Sequence, residues 1–316
     1  MARVELRPHG TIAAAGAGRP PRPRRAWSRH WITAGALLAC LSAGPGHAGP
    51  GATRAASNPA APAAAGNASA GAMAAQTSAP ATGSTNAAAN AAENGRARLR
   101  AHTIVYRASF KGIGAGSLEL TLRPDAAPGS WIYETRAHPS FLASFVINPK
   151  SRERSSISLD AAGRVAPHSY RLDDGTPEHK DDMEIAYDYA RGRAVGKAHG
   201  QAFELALEPG TQDAMSIRLA ASVDLLAGRE PAEYPMIDGN ELKHFVYHRV
   251  GSERIHTALG ELDTVIYTSV RKGAGPRDRT WRYWYAPSLD SLPVRIEQRE
   301  DGKTRFEFEV RSFKWL

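Results

Sequence analysis

From Thr103 onward, apolar and polar residues alternate, and glycine, proline or aspartate interrupts the alternation at short intervals. A period of two places every second side chain on one face of a β-strand. Thr103–Phe110 alternates with β-branched and aromatic residues, Lys111–Gly116 is turn material, and Ser117–Leu122 returns as the second arm of a hairpin. Trp131–Arg136 follows the turn Pro124–Gly129 as a third strand. Further strands are predicted over 151–159, 165–172, 182–189, 201–207, 242–250, 253–258, 261–270, 279–286, 293–299 and 304–314. Turns at 161–163, 173–175, 191–192, Gly251, Gly260, 273–275 and 301–302 separate most of them.

Two stretches break this rhythm. His138–Ile147 is a near-continuous apolar run around Pro139, readable as a short helix or a lip loop. In 211–227, Met215, Leu219, Val223 and Leu226 recur at helical spacing, Thr211 or Asp213 can cap the start, and Gly228 supplies a stop. About twelve strands with short connections predict a mainly β fold. The expected form is a curled antiparallel sheet, a partial barrel or a sandwich, with the 211–227 helix covering an open end or edge.

The first hundred residues are different material. Arginines at 19, 22, 24, 25 and 29 precede the apolar stretch Trp31–Ala43, and a small-residue exit, Gly46-His47-Ala48, follows. That order marks residues 1–48 as a secretory signal peptide. Its core of 13 residues is short of the roughly 20 that cross a bilayer. Residues 49–98 are nearly all Ala, Gly, Pro, Ser, Thr and Asn, too poor in large apolar groups to offset chain entropy, and are predicted to be a disordered linker. Residues 99–316 remain as a single β-rich domain of ordinary size. The expected location is exported and periplasmic, with no transmembrane span in the mature chain.

Charge follows the same division. The net charge of +8 sits in the signal and linker, and residues 101–316 hold 29 basic against 30 acidic side chains. The high pI is therefore no argument for a nucleic-acid partner. The chain has one cysteine, Cys40, inside the signal. The domain can form no disulfide and hold no zinc–thiolate site. Cys40 has two readings. It is an apolar residue of a signal cut after Ala48, or, in Leu37-Leu38-Ala39-Cys40, the lipid-bearing residue of a lipoprotein whose linker holds the domain off the membrane.

One part of the chain has a recognisable look: Trp281-Arg-Tyr-Trp-Tyr-Ala-Pro287, then Leu292-Pro-Val-Arg-Ile296, then Asp301-Gly302. With the Tyr106…Gly112…Gly116 opening and Gln212-Asp213-Ala-Met-Ser216, it resembles an uncharacterised bacterial envelope family, domain of unknown function 3108. The resemblance implies an exported β-rich protein with no established activity, and transfers no catalytic residue.

Candidate chemistry is sparse. His244 and His248 read as H-x-x-x-H, but on a strand they stand about 13 Å apart, too far for one metal. Glu178-His179-Lys180-Asp181-Asp182 gathers metal-friendly groups and also has the composition of a solvated loop, lacking the alternating acids of a calcium loop. No nucleophile elbow or phosphate-binding loop is present, and Gly112–Gly116 is a hairpin turn. No catalytic residue, metal or cofactor is therefore assigned. Trp281, Tyr283 and Tyr285 share one strand face, as core or as an aromatic wall lining an apolar pocket. Phe141, Leu142, Phe145, Val146 and Ile147 form the candidate lip of that pocket. Arg282 and Arg295 could meet an anionic head group, but pairing with acids such as Glu297 is the simpler reading. The expected role is non-enzymatic binding of an apolar or lipid-like ligand in the envelope. The alternatives are a scaffolding module that binds an envelope protein through a sheet edge or the 138–147 patch, and a hydrolase of an envelope polymer.

Overall fold

A computed structural model describes residues 99–145, 147–275 and 278–316. The predicted signal (1–48), the linker (49–98), Cys40, Val146 and the side chain of Phe145 lie outside the described residues. The described chain is mainly β. Its strands are β1 (His102–Phe110), β2 (Ile113–Pro124), β3 (Trp131–Pro139), β4 (Arg152–Leu159), β5 (Val165–Asp173), β6 (Met183–Asp188), β7 (Arg193–Ala198) and β8 (Gln201–Ala206). A helix, α1 (Ser216–Leu226), follows, and then β9 (Glu233–Asp238), β10 (Glu241–Thr257), β11 (Gly260–Arg271), β12 (Thr280–Ala286), β13 (Leu292–Glu300) and β14 (Lys303–Trp315).

All fourteen strands form one antiparallel sheet in the order β8 back to β1, then β14 back to β9. Consecutive strands pair, except β8 with β9. The pairing of non-consecutive strands is β1 with β14, whose register runs from His102↔Trp315 to Phe110↔Phe306 and joins the two meanders. The sheet does not close, and β8 and β9 are its edges.

The pattern under-counted the strands for physical reasons. β7 carries Gly196 and Lys197 and few large apolar groups, so its alternation is faint. β9 contains Pro235, which disfavours a central strand but is tolerated at an edge. β10 passes straight through Gly251, where the register shifts, instead of turning there. The helix is shorter than predicted because Gln212 is extended: its amide donates to Pro235 O (2.8 Å), and its carbonyl accepts from Ile237 N (2.9 Å).

The core lies on the inner face of the sheet. Ile104, Tyr106 and Ala108 of β1 alternate inward, as do Leu118, Leu120 and Leu122 of β2 and Phe306, Phe308 and Val310 of β14. α1 touches β5 in one meander and β13 in the other, and every residue from Ser216 to Val223 is buried. Within the described residues Leu99–Leu316, the fourteen strands pair with one another and enclose one contiguous apolar core.

Near one rim the backbone of β2 passes close to the β3–β4 loop. Gly116 has φ +117, and a Cβ there would stand 2.2 Å from His138 O and 2.7 Å from Ser140 N. Gly116→Ala is expected to lose about 2–4 kcal/mol in urea denaturation. Gly114→Ala, with nothing within 4 Å of the added carbon, is expected to stay within about 1 kcal/mol of wild type.

Candidate functional site

The alternation of β12 places Trp281, Tyr283 and Tyr285 on the inner face, each almost fully buried. Tyr283 stacks between Trp281 (centroids 6.4 Å apart) and Tyr285 (5.7 Å), and also stacks on Tyr247 of β10 at 5.8 Å. Tyr267 meets Tyr285 edge-on at 5.9 Å, and Tyr234 meets Tyr247 edge-on at 5.2 Å. The wall continues into the other meander through Tyr106, Tyr133, Tyr170 and Tyr187, all buried. Burial pushes these phenols up, Tyr133 to about 12, so all are neutral at physiological pH.

Several hydroxyls have specific partners. Tyr106 donates to Pro293 O (2.6 Å), Tyr170 to Glu153 Oε1 (2.7 Å), Tyr234 to Asp224 Oδ2 (2.6 Å) and Tyr267 to Glu230 Oε2. Among the described residues, the Tyr187 and Tyr285 hydroxyls and Trp281 Nε1 are buried without a hydrogen-bond partner. Such groups are costly in an apolar interior.

Beneath α1 lies a buried ionic group that the sequence reading did not pick out. Glu153 of β4 is 0% exposed and Arg218 of α1 is 5% exposed, with Arg218 Nη1 at 4.0 Å from Glu153 Oε2. Arg218 Nη1 also reaches Met215 Sδ (3.2 Å), while Nη2 makes no hydrogen bond among the described residues. Burial pushes the Glu153 carboxyl up, against the opposing pull of Arg218 and Tyr170. Asp213 takes up the start of the helix: its Oδ1 accepts the Met215 and Ser216 amides (2.9 and 2.8 Å), and its Oδ2 accepts Ser155 Oγ (2.8 Å). Burial nonetheless raises Asp213 to about 6. The signal for Glu153 was present in β4, where the period of two puts it on the same face as Ser155 and Ile157.

The remaining candidates are dispersed. Trp284 faces the outer side, with Arg282 4.9 Å and Arg295 5.7 Å from its ring centroid, and its Nε1 donates to Glu253 (3.1 Å). Arg295 pairs with Glu309 and not with Glu297. Both arginines therefore stand across the sheet from the aromatic wall. Phe141 is 79% exposed and Leu142 71% exposed at the rim, whereas Ile147 is buried in the core. His244 lies on β10 and pairs with Glu233 (2.7 Å). The β5–β6 loop brings ligand atoms of Asp173, Asp174, His179 and Asp182 within 4.8 Å of one another. Its carboxylates already hold the loop: Asp173 accepts the Gly175 amide, Asp174 accepts Thr176 and the Asp181 amide, and Asp182 accepts the Asp174 amide and meets His179. A cleft of about 240 Å³ opens where β5 begins beside β9, lined by Arg164, Gln212, Asp224, Arg229 and Tyr234 among others.

Two predictions concern the buried ionic group. Arg218→Met is expected to cost about 3–5 kcal/mol, because it leaves Glu153 buried and unpaired, and the double variant Glu153→Leu with Arg218→Met to recover most of that in urea denaturation. The Asp213 pKa is raised on folding, so its protonated form favours the fold. That advantage is complete below pH 3.8 and is lost as the pH rises through about 6. Relative to wild type, Asp213→Asn is expected to gain on the order of 3 kcal/mol of stability between pH 3.5 and pH 7.5. A difference independent of pH would refute the assignment.

Several solved structures are similar to this chain. A β-barrel-like protein of domain of unknown function DUF1849 from Brucella abortus shares 11% identity at a TM-score of 0.42, covering 70% of this chain and 99% of that one. An exported protein with a YmcC-like fold from Bacteroides fragilis NCTC 9343 shares 10% identity at a TM-score of 0.31, covering 69% and 97%. MucB in complex with MucA(peri) shares 11% identity at a TM-score of 0.26, covering 73% and 54%. No curated protein matches the sequence. The family described as Protein of unknown function (DUF3108) matches over residues 105–309, and the chain belongs to that family.

Proposed function

We propose that this is an exported, periplasmic cell-envelope protein that binds an apolar or lipid-like ligand against the inner face of its curled sheet, without catalysis. The observation that carries the reading is the inner wall itself. Tyrosines from both meanders, together with Trp281, line one continuous face, and α1, which links the two free edges, packs over it. Aromatic rings offer a large apolar area with polar tips, which suits an amphipathic ligand. Displacing α1 would uncover the wall without breaking any strand pair. Phe141 and Phe145 would act as the lip, and Trp281, Tyr283 and Tyr285 as the wall.

Export rests on the N-terminal pattern of basic residues, apolar core and small-residue exit. Among the described residues no helix is long and apolar enough to cross a membrane. Attachment would come from Cys40 if that residue carries lipid, and the Ala/Gly/Pro-rich stretch would then be the tether.

A second reading is a scaffolding module. It is favoured by β8, which pairs with β7 alone and carries neither proline nor lysine. Such an edge can accept a strand from another protein.

Native mass spectrometry with lipid extraction, on Leu99–Leu316 recovered from a bacterial envelope, separates the two. A bound apolar species released on denaturation is expected, with several-fold lower retention in Phe145→Ala. A bare mass in every preparation would transfer the function to the β8 edge.

A further inference from the structure

The most exposed large apolar side chains on neighbouring loops cluster at one rim. Ile113 of the β1–β2 turn is 67% exposed, and Phe141 and Leu142 of the β3–β4 loop are 79% and 71% exposed. The two loops are tied together: Ser140 N donates to Ala115 O (3.0 Å), and Ser140 Oγ to Gly114 O (3.3 Å). The exposed apolar groups are therefore carried on two adjoining segments at one rim.

Cations bracket this feature. Arg136 and Arg152 stand directly opposite each other across β3 and β4, at the base of the loop that bears Phe141 and Leu142. Opposed like charges destabilise a strand pair. Neither forms an ion pair among the described residues, and Arg152 reaches only the carbonyls of Pro149 and Ser151. Lys111 beside Ile113, and Lys150 within the loop, are exposed and likewise form no ion pair among the described residues. Acids lie near in register, but most are engaged. Glu134 meets Arg123, and Asp174 and Asp182 hold the β5–β6 loop; Glu119 stands opposite Arg136 and Asp173 opposite Arg152, and neither forms an ion pair with its arginine among the described residues.

We infer that this rim docks the domain on an anionic lipid bilayer, with Ile113, Phe141 and Leu142 inserted among the lipids and Arg136, Arg152, Lys111 and Lys150 on the phosphate head groups. Apolar side chains this exposed, with cations beside them, fit a bilayer surface, which yields around them and brings anionic head groups, whereas a protein partner would have to supply matching pockets. The inference goes beyond the inner-face ligand and does not depend on it: Phe141 is the one residue shared with the lip proposed above, and the arginine variant leaves that lip intact.

Vesicle co-sedimentation of Leu99–Leu316 tests it, with phosphatidylcholine vesicles compared with vesicles containing a quarter phosphatidylglycerol. Wild type is expected to bind the anionic vesicles, more weakly as salt rises. Arg136→Gln with Arg152→Gln is expected to lower that binding on the order of thirtyfold. Phe141→Ser with Leu142→Ser is expected to lower it at least about tenfold. The segment has no cysteine of its own, so Leu142→Cys accepts one environment-sensitive dye. Its emission is expected to shift to the blue on anionic vesicles alone. All four sites are exposed, and circular dichroism confirms that each variant keeps its fold. Equal binding to both vesicle types, no loss in the arginine variant, or an unshifted dye would overturn the inference and reassign the rim to a protein partner. The bound mass in the extraction experiment is unaffected by any of these outcomes.

Discussion

An open sheet of fourteen strands must cover its inner face. Among the described residues every other link joins neighbouring strands, and the passage from β8 to β9 is the one that runs from edge to edge. That crossing is fastened at three kinds of contact. Gln212 adds a backbone bridge to β9 and sends its side-chain amide to Val165 O of β5 (2.9 Å). Asp213 gathers the first amides of the helix and Ser155 of β4. Arg218 faces Glu153. The two arms of the sheet are thus joined twice, once by the β1–β14 ladder and once by this crossing.

These fastenings differ in kind. The ladder is made of backbone bonds, which are insensitive to side-chain identity and to pH. The crossing depends on carboxyls held out of water, whose ionised forms are disfavoured by burial. Buried ion pairs give little net stability over an apolar replacement. Their presence here fixes where α1 docks more than how tightly it docks. The cover is apolar as well: Met215, Ile217, Leu219 and Val223 pack into the core beside these polar contacts.

Most of the architecture was legible in the period of two. β1, β2, β12 and β14 alternate, and their inward positions carry core residues such as Tyr106, Leu120, Tyr283 and Phe308. Trp284 was separable from Tyr283 and Tyr285 for the same reason. What failed was local and explicable. β7 and β9 lack the apolar contrast that makes a strand visible, and Gly251 reads as a turn although it is a bulge. The start of α1 was placed too early because the tertiary bridge to β9 outweighs the local propensity of Thr211–Asp213. The buried ionic group was hidden for a deeper reason. Glu153 and Arg218 are 65 positions apart, and the 3.6-residue period of α1 identifies a buried face without saying that a charge on it will be neutralised from another strand.

The same distinction bears on where binding takes place. On the outer face across the β1–β14 junction, charges pair in a cross-strand row. Arg107, Glu309 and Arg295 lie in register across β1, β14 and β13, with Arg295 over Trp284. Such rows satisfy themselves and ask for no partner. At the β3–β4 rim the corresponding row sets Arg136 against Arg152. There two arginines stand side by side, flanked in register by Glu119 and Asp173 but in no ion pair among the described residues, beside the exposed side chains of Phe141 and Leu142. Stability alone would select against both features at one place. Their coincidence supports the membrane contact inferred for that rim, while the opposite face of the same strands carries Glu153 and Ser155 inward to hold the cover.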